Sequence, residues 1–235
     1  MNSHLISAQE IKNLNNSPLF EKLSEVKINT LLMNSRLINL KHRETLFNCG
    51  DRTDSFAIVT AGALKLIKST ARGDDIIMYF ATVGDPIGAL LMNKPTTEYP
   101  ISVVSMGPSN VLCIPRSTFE KNWATDVDVL QRLNSQLYSR MTNLQDDKLM
   151  NKVPLNQKIA KLLINLLLKS NNNNSDETVI SVPITRQEIA DSLGVTVESV
   201  IRTMSDWSQN QIISTFDKKI EILKLDFLLN LIKEV

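Results

Sequence analysis

Short apolar runs separated by turn residues dominate the first half of the chain. The β-prone runs SFAIVT, ALKLIKS and DIIMYFATV lie between four glycines spaced 12, 11 and 11 residues apart: Gly50, Gly62, Gly73 and Gly84. Two later glycines extend the pattern to the runs ISVVSM and NVLCIP. Short strands punctuated at this period predict an antiparallel sandwich or barrel.

A helical pattern follows from Ser117 to Leu149, and its second half repeats every seven residues. The a and d positions of three heptads are Val127, Leu130, Asn134, Leu137, Met141 and Leu144. Such a seam is typical of a dimerisation helix, and a polar a-position residue such as Asn134 fixes the register of two strands. The alternative is a helix that packs on its own sandwich.

The last third of the chain begins with a second helical pattern, from about Leu155 to Lys169, followed by the polar loop SNNNNSDE. Thr185 precedes Glu188 by three residues, which predicts a capping box that opens a short helix. Gly194 then supplies the left-handed conformation that ends this helix.

A further helix is predicted to start at Thr196, to bury Val200 and Met204, and to form a helix-turn-helix with the preceding one. Glu198 and Arg202 share one face of it. In the major groove of DNA, a glutamate accepts a hydrogen bond from cytosine and an arginine donates two to guanine. The alternative is a surface salt bridge between the two side chains, which stabilises a helix by only a few tenths of a kcal/mol.

Two apolar runs near the C-terminus flank the residues FDKK and predict a hairpin. The runs are Ile212-Ile213 and Ile220 to Leu223. The lysines at the predicted tip, Lys218 and Lys219, suit contacts with phosphate groups.

Composition narrows the function. The net charge is +1, and ten basic residues balance ten acidic ones from Lys152 onward, so any nucleic-acid-binding potential has to be local. The longest apolar run, Leu162 to Leu168, is interrupted by Asn165 and is too short for a membrane span, and no N-terminal segment resembles a signal peptide. We therefore expect a cytoplasmic protein without a membrane partner.

Metal chemistry has little support in the sequence. Cys49 and Cys113 are too far apart for a metal knuckle, and His4 and His42 are too few for an ordinary catalytic zinc site. We predict no catalytic residues, no metal site and no cofactor. A sensing role for either thiol or for His42 stays open.

The stretch ITRQEIADSLGVTVESVIRTMSDWSQNQII resembles the DNA-binding motif of the cyclic-AMP receptor protein and fumarate-nitrate reduction regulator (CRP/FNR) family. The stretches SPLFEKLSEVKINTLL, FNCGDRTDSFAIVTAGALKLIKS and VGDPIGALL resemble its N-terminal helix and sensor jelly roll. The resemblance implies an α+β fold, with a cyclic-nucleotide-binding-like β jelly roll in 1–116, a dimerisation helix in 117–150 and a winged helix-turn-helix in 151–235.

The resemblance also implies roles for individual residues. Glu198 and Arg202 match the family's base-reading glutamate and arginine. Val197 lies at a third base-reading position, where the receptor-protein branch has an arginine, and agrees with the V-E-x-x-x-R form of the other branch. Ile201 differs from the small residue usual in both branches, which leaves the outer bases of the DNA site undetermined. Positions that resemble phosphate contacts are Thr185, Arg186, Gln187, Thr196 and Ser199.

The sensor half departs from the cyclic-nucleotide branch of the family. Ala89 follows Gly88 where that branch has a ribose-binding glutamate, and Tyr99-Pro100 stands in place of its phosphate-binding Arg-Ser pair. A buried phosphate without a cation is unfavourable by several kcal/mol, so we expect no response to cyclic AMP. Two cysteines are also too few for the iron-sulfur branch. The sequence therefore does not identify an effector.

The leading prediction is a homodimeric transcription regulator that binds a pseudo-palindrome in double-stranded DNA and contacts RNA polymerase. One alternative is an effector-binding or scaffold protein with a degenerate helix-turn-helix. Another is a cupin-like jelly-roll enzyme, which the lack of a histidine cluster disfavours.

Overall fold

The computed structural model describes residues 14–15, 17–71, 73–93, 97–150, 152–170, 178–216 and 219–233, with only the backbone described at 143–144, 146–150 and 170. The chain forms two compact units. One comprises residues 1–68 and 78–141, and the other comprises 69–77 and 142–235.

The first unit contains most of a two-sheet sandwich preceded by helix α1 (Glu25–Leu31); strand residues 69 and 75–77 of that sandwich fall in the second unit. Its strands are β1 (Arg36–Leu40), β2 (Thr45–Phe47), β3 (Ser55–Ala61), β4 (Leu64–Ser69), β5 (Asp75–Ala81), β6 (Pro86–Ile87), β7 (Ser102–Ser105) and β8 (Ser109–Pro115). A 3₁₀-helix spans Ala89–Asn93. The strands form two four-stranded sheets, in the orders β1-β8-β3-β6 and β2-β7-β4-β5. The predicted jelly-roll sandwich is thereby confirmed.

The four regularly spaced glycines lie at turns and have positive φ angles between 76° and 89°. At Gly84 the lack of a side chain is also required for packing. A Cβ atom there would lie 2.4 Å from the Cβ of Ser17, whose hydroxyl donates a hydrogen bond to the Gly84 carbonyl. The glycine period therefore marks the corners of the sandwich, as the sequence pattern predicts.

Two hydrophobic clusters stabilise this unit. One draws on strands of both sheets and includes the stacked rings of Phe47 and Tyr99, whose centroids are 4.1 Å apart. The other joins α1, β3 and the segment after β8 through Phe56, Phe119 and Trp123. The Trp123 indole donates a 2.7 Å hydrogen bond to the Leu31 carbonyl, so its polar edge is satisfied while its ring is buried.

The helical pattern predicted over 117–149 is interrupted between residues 124 and 126. A short turn α2 (Arg116–Thr118) and a π-helical turn (Phe119–Trp123) come first, and the long helix α3 begins only at Val127 and ends at Met150. Burial of the Phe119 and Trp123 rings fixes the first segment. Asp126 then accepts a hydrogen bond from the Val129 amide, which satisfies a free donor at the start of α3.

The second unit contains α4 (Leu155–Ser170), β9 (Val179–Ile180), α5 (Arg186–Leu193), α6 (Val197–Gln209), β10 (Ile213–Phe216), β11 (Lys219–Ile222) and α7 (Leu225–Lys233). The strands form a sheet in the order β10-β11-β9. Helix α4 packs on α7 and also contacts α5 and α6. The predicted α4 and the hairpin are confirmed, whereas β9 and α7 were not predicted.

Among the described residues, no helix has the length and apolar character needed to cross a membrane. The same residues contain no cluster of three or more histidine, cysteine, aspartate or glutamate side chains suited to a metal ion.

Candidate nucleic-acid interface

Helix α5 begins with the capping box that the sequence predicts. The Thr185 hydroxyl accepts a hydrogen bond from the Glu188 amide (3.2 Å), and the Glu188 carboxylate accepts one from the Thr185 amide (2.9 Å). Gly194 ends the helix with a φ of 64°. These local signals fix the tight turn between α5 and α6.

Helix α6 exposes the two residues that the sequence singles out. Thr196 caps it by accepting from the Ser199 amide, and Val200 and Met204 are buried. Glu198 and Arg202 lie on the solvent side. Within the described part of the chain, neither side chain makes a hydrogen bond or an ion pair. The salt-bridge alternative is therefore absent from this structure, and both charged groups are available to a ligand.

The predicted phosphate-contacting residues occupy the starts of α5 and α6 and the hairpin. Those that are exposed are Thr185, Gln187, Thr196 and Lys219, and those that are half-buried are Arg186 and Ser199. Lys218 lies outside the described residues. Helix N-termini present free amide groups and a positive dipole end, and both favour phosphate oxygens.

Arg186 makes a tertiary hydrogen bond that the sequence does not predict. Its guanidinium donates a 3.0 Å hydrogen bond to the Thr215 hydroxyl on β10. Gln187 donates to Asp191 (2.7 Å) within α5. The first contact links the start of α5 to the β10–β11 hairpin, which is thereby held beside the helix-turn-helix.

The six heptad positions of α3 differ in exposure. Val127 and Met141 are 66% and 53% exposed, and Asn134 is exposed. Leu130 and Leu137 are half-buried, and Leu130 also packs against the second hydrophobic cluster of its unit. The side chain of Leu144 lies outside the described residues. The a positions Val127, Asn134 and Met141 thus remain accessible along this helix, whereas the d positions Leu130 and Leu137 are partly covered by their own unit.

A cavity of about 190 Å³ lies in the first unit, between the jelly roll and α3. All four residues predicted for the effector pocket line it: Gly88, Ala89, Tyr99 and Pro100. Three seam positions of α3 line it as well, namely Leu130, Asn134 and Leu137. Its wall is mostly apolar.

The cavity is also lined by a cationic side chain, Arg140, that was not predicted from the sequence. Arg140, on α3, donates hydrogen bonds to the Asp85 carboxylate and the Pro86 carbonyl, each 3.1 Å long. Its guanidinium also lies 4.5 Å from the centre of the Tyr79 ring. The Asp85 carboxylate accepts further bonds from the Tyr79 hydroxyl (3.0 Å) and the Thr82 amide (2.9 Å). The cation is therefore already paired.

The electrostatics of this cluster favour a charged arginine and a neutral tyrosine. Burial, reinforced by Asp85, raises the pKa of the Tyr79 hydroxyl well above its ordinary value. Burial alone lowers the pKa of Arg140, but Tyr79 and Asp85 outweigh it and raise that pKa. Arg140 therefore stays protonated, and Tyr79 stays neutral, across the physiological pH range.

The remaining reactive groups differ in access. Cys49 is exposed, whereas burial raises the pKa of the Cys113 thiol to about 12. The Nδ1 atom of His42 lies 2.7 Å from the carbonyl oxygen of Met106, within hydrogen-bonding distance. His4 lies outside the described residues.

A jelly roll joined by a long helix to a winged helix-turn-helix defines a class of two-part DNA-binding regulators. Two family models match the chain: a cyclic nucleotide-binding domain over residues 37–126, and a Crp-like helix-turn-helix domain over residues 157–231. Together they cover the greater part of both units.

Similarity to known regulators agrees with these matches. The chain is 31% identical over 189 residues to the transcriptional activator protein FnrA of Stutzerimonas stutzeri, covering 78% of this chain and 75% of that protein. It is 30% identical over 188 residues to the activator Anr of Pseudomonas aeruginosa, with the same coverage. The structure of FixK2 from Bradyrhizobium japonicum has the same fold (TM-score 0.71, 20% identity, 85% of this chain and 98% of that one).

The chain therefore belongs to the CRP/FNR family of DNA-binding transcription regulators. The sequence-based prediction of family, fold class and general function is confirmed.

Proposed function

We propose that this protein is a homodimer that reads a pseudo-palindromic DNA site through helix α6. The observation that carries the proposal is the exposure of Glu198 and Arg202, in the first two turns of the second helix of the motif, with no bonding partner for either side chain among the residues that the structure describes. A carboxylate and a guanidinium without protein partners can each form hydrogen bonds with the complementary edge of a nucleotide base in the major groove.

The roles within the interface divide by chemistry. Glu198 and Arg202, flanked by Val197, read bases. The capped helix starts at Thr185 and Thr196 position the protein on the phosphates, together with the side chains of Arg186, Gln187 and Ser199 and the lysines of the hairpin. Contacts with bases carry sequence information, whereas contacts with phosphates do not.

Dimerisation is proposed to use the heptad face of α3. The support is the accessible stripe that Val127, Asn134 and Met141 form, with Leu130 and Leu137 between them. Two copies of α6 related by a two-fold axis then meet half-sites about 10 base pairs apart, centre to centre. The division of the chain into 1–116, 117–150 and 151–235 is part of the same proposal.

The sensor cavity is proposed not to hold a cyclic nucleotide. Ala89, Tyr99 and Pro100 line the place where the cyclic-nucleotide branch has its ribose and phosphate ligands. The cation at the cavity, Arg140, is already bound to Asp85. A phosphate therefore has to break a largely buried ion pair, which is unfavourable.

Three further roles complete the proposal. The protein acts in the cytoplasm, where its DNA site is found, and it contacts RNA polymerase when bound there. We propose no catalytic activity for it, because its family consists of transcription regulators.

Selection of binding sites from random DNA, followed by gel shifts at two salt concentrations, tests the proposal. We expect a two-fold-symmetric site with the inner TGA/TCA core that the resemblance to the family implies, and binding that weakens as salt rises. Failure to enrich any sequence identifies instead an effector-binding or scaffold protein with a degenerate DNA-binding domain.

A further inference from the structure

Helix α6 is described throughout, and it exposes one large apolar side chain. Ile201 is 48% exposed, whereas Val200 and Met204 are buried and Val197 is half-buried. Single exposed apolar side chains are common on protein surfaces, so the exposure alone says little. The position of Ile201 relative to the charged pair is the informative feature.

Two parallel rows run along the first turns of α6. Residues four apart lie on the same side of a helix, so Glu198 and Arg202 form one row and Val197 and Ile201 form the next, about 100° around the helix axis. When the charged row faces base edges, the neighbouring row faces the adjacent part of the same groove. Ile201 then lies beside the base pairs that Glu198 and Arg202 contact.

The major groove offers an apolar side chain one specific partner, the C5-methyl group of thymine. The branched side chain of Ile201 makes no hydrogen bond, so it adds nothing to the reading of guanine, cytosine or adenine. A polar base edge placed against it loses water without compensation.

We propose that Ile201 is a specificity-determining residue that selects thymine next to the base pairs read by Glu198 and Arg202, through contact with the thymine methyl group. This inference rests on the proposed DNA-reading function. It assigns the outer base of each half-site, at the position where this chain departs from the small residue of its family.

Uracil substitution tests the inference without altering the protein. Each thymine of the selected site is replaced singly by uracil, which lacks only the methyl group, and affinity is measured by fluorescence anisotropy. Burial of one methyl group corresponds to about a fourfold loss per half-site, and to about 15-fold when both half-sites change. Uracil outside the half-sites is the control and changes affinity by less than about twofold.

Two variants locate the effect at one side chain. Ile201→Ala has a shorter side chain and is expected to lose most of the preference for thymine over uracil, whereas Ile201→Leu keeps a large apolar contact and retains most of it. Uniform tolerance of uracil by the unmodified protein, with Arg202→Ala still relaxing specificity, overturns this inference and leaves the proposed function intact. Absence of any selective DNA binding overturns both.

Discussion

Replacing Arg140 by methionine is expected to destabilise the first unit by about 3 kcal/mol. The side chains of Arg140 and Asp85 are only 22% and 17% exposed. Removing one partner of such a pair costs about 3 to 5 kcal/mol, because the other charge stays buried. We take the lower end of this range, since the Asp85 carboxylate keeps its bonds from Tyr79 and Thr82.

Thermal unfolding followed by the fluorescence of Trp123, in a Trp207→Phe background, measures this effect within the first unit. At about 2 to 4 °C per kcal/mol for a chain of this size, Tm falls by about 6 to 12 °C. Arg132→Met on the same helix is the control. Among the described residues, Arg132 bonds only to the carbonyls of Pro18 and Glu21, and its loss is expected to cost about 1 kcal/mol.

A double-mutant cycle separates the ion pair from the packing of the arginine stem. Asp85→Asn combined with Arg140→Met is expected to cost about 1 to 3 kcal/mol less than the sum of the single changes. A Tm change for Arg140→Met no larger than that of the control, or additive effects in the cycle, refutes the reasoning that this pair holds α3 to the jelly roll.

Three further predictions concern assembly, ligand and thiols. Leu137→Asp is expected to yield monomers by light scattering and to weaken DNA binding severely, whereas Ser139→Asp on the same helix leaves the dimer intact; a dimeric Leu137→Asp variant contradicts the assigned seam. Calorimetry with cyclic AMP or cyclic GMP is expected to show no binding, and micromolar affinity overturns the account of the cavity. Alkylation at neutral pH is expected to modify Cys49 rapidly and Cys113 only after unfolding, because burial keeps the Cys113 thiol protonated; equal rates disagree with the structure.

Features with a local cause were predictable from the sequence. The capping box at Thr185, the left-handed Gly194 and the cap at Thr196 depend on residues three or fewer positions apart, so the linear pattern contains them. The turns of the jelly roll follow from glycine spacing for the same reason. Helix α7 had a usable signal as well, since LDFLLNLIK places apolar residues at helical intervals.

Features with a tertiary cause were not predictable. Arg140 and Asp85 are 55 residues apart, and nothing local to either one indicates their pairing. The break before α3 arises because Phe119 and Trp123 are buried against distant residues, which overrides a helical pattern that reads as continuous. Strand β9 has only two residues, and its pairing with β11 defines it.

The measurement that tests the central claim most directly compares Arg202→Ala with Lys219→Ala on the selected site and on a scrambled one. Arg202→Ala is expected to cost about 1 to 3 kcal/mol per half-site on the selected DNA and to relax the preference at one base pair. Lys219→Ala is expected to weaken both DNAs alike and to reduce the salt dependence, because a phosphate contact carries no sequence information. Equal loss of affinity for both DNAs with Arg202→Ala contradicts the claim that α6 reads the bases.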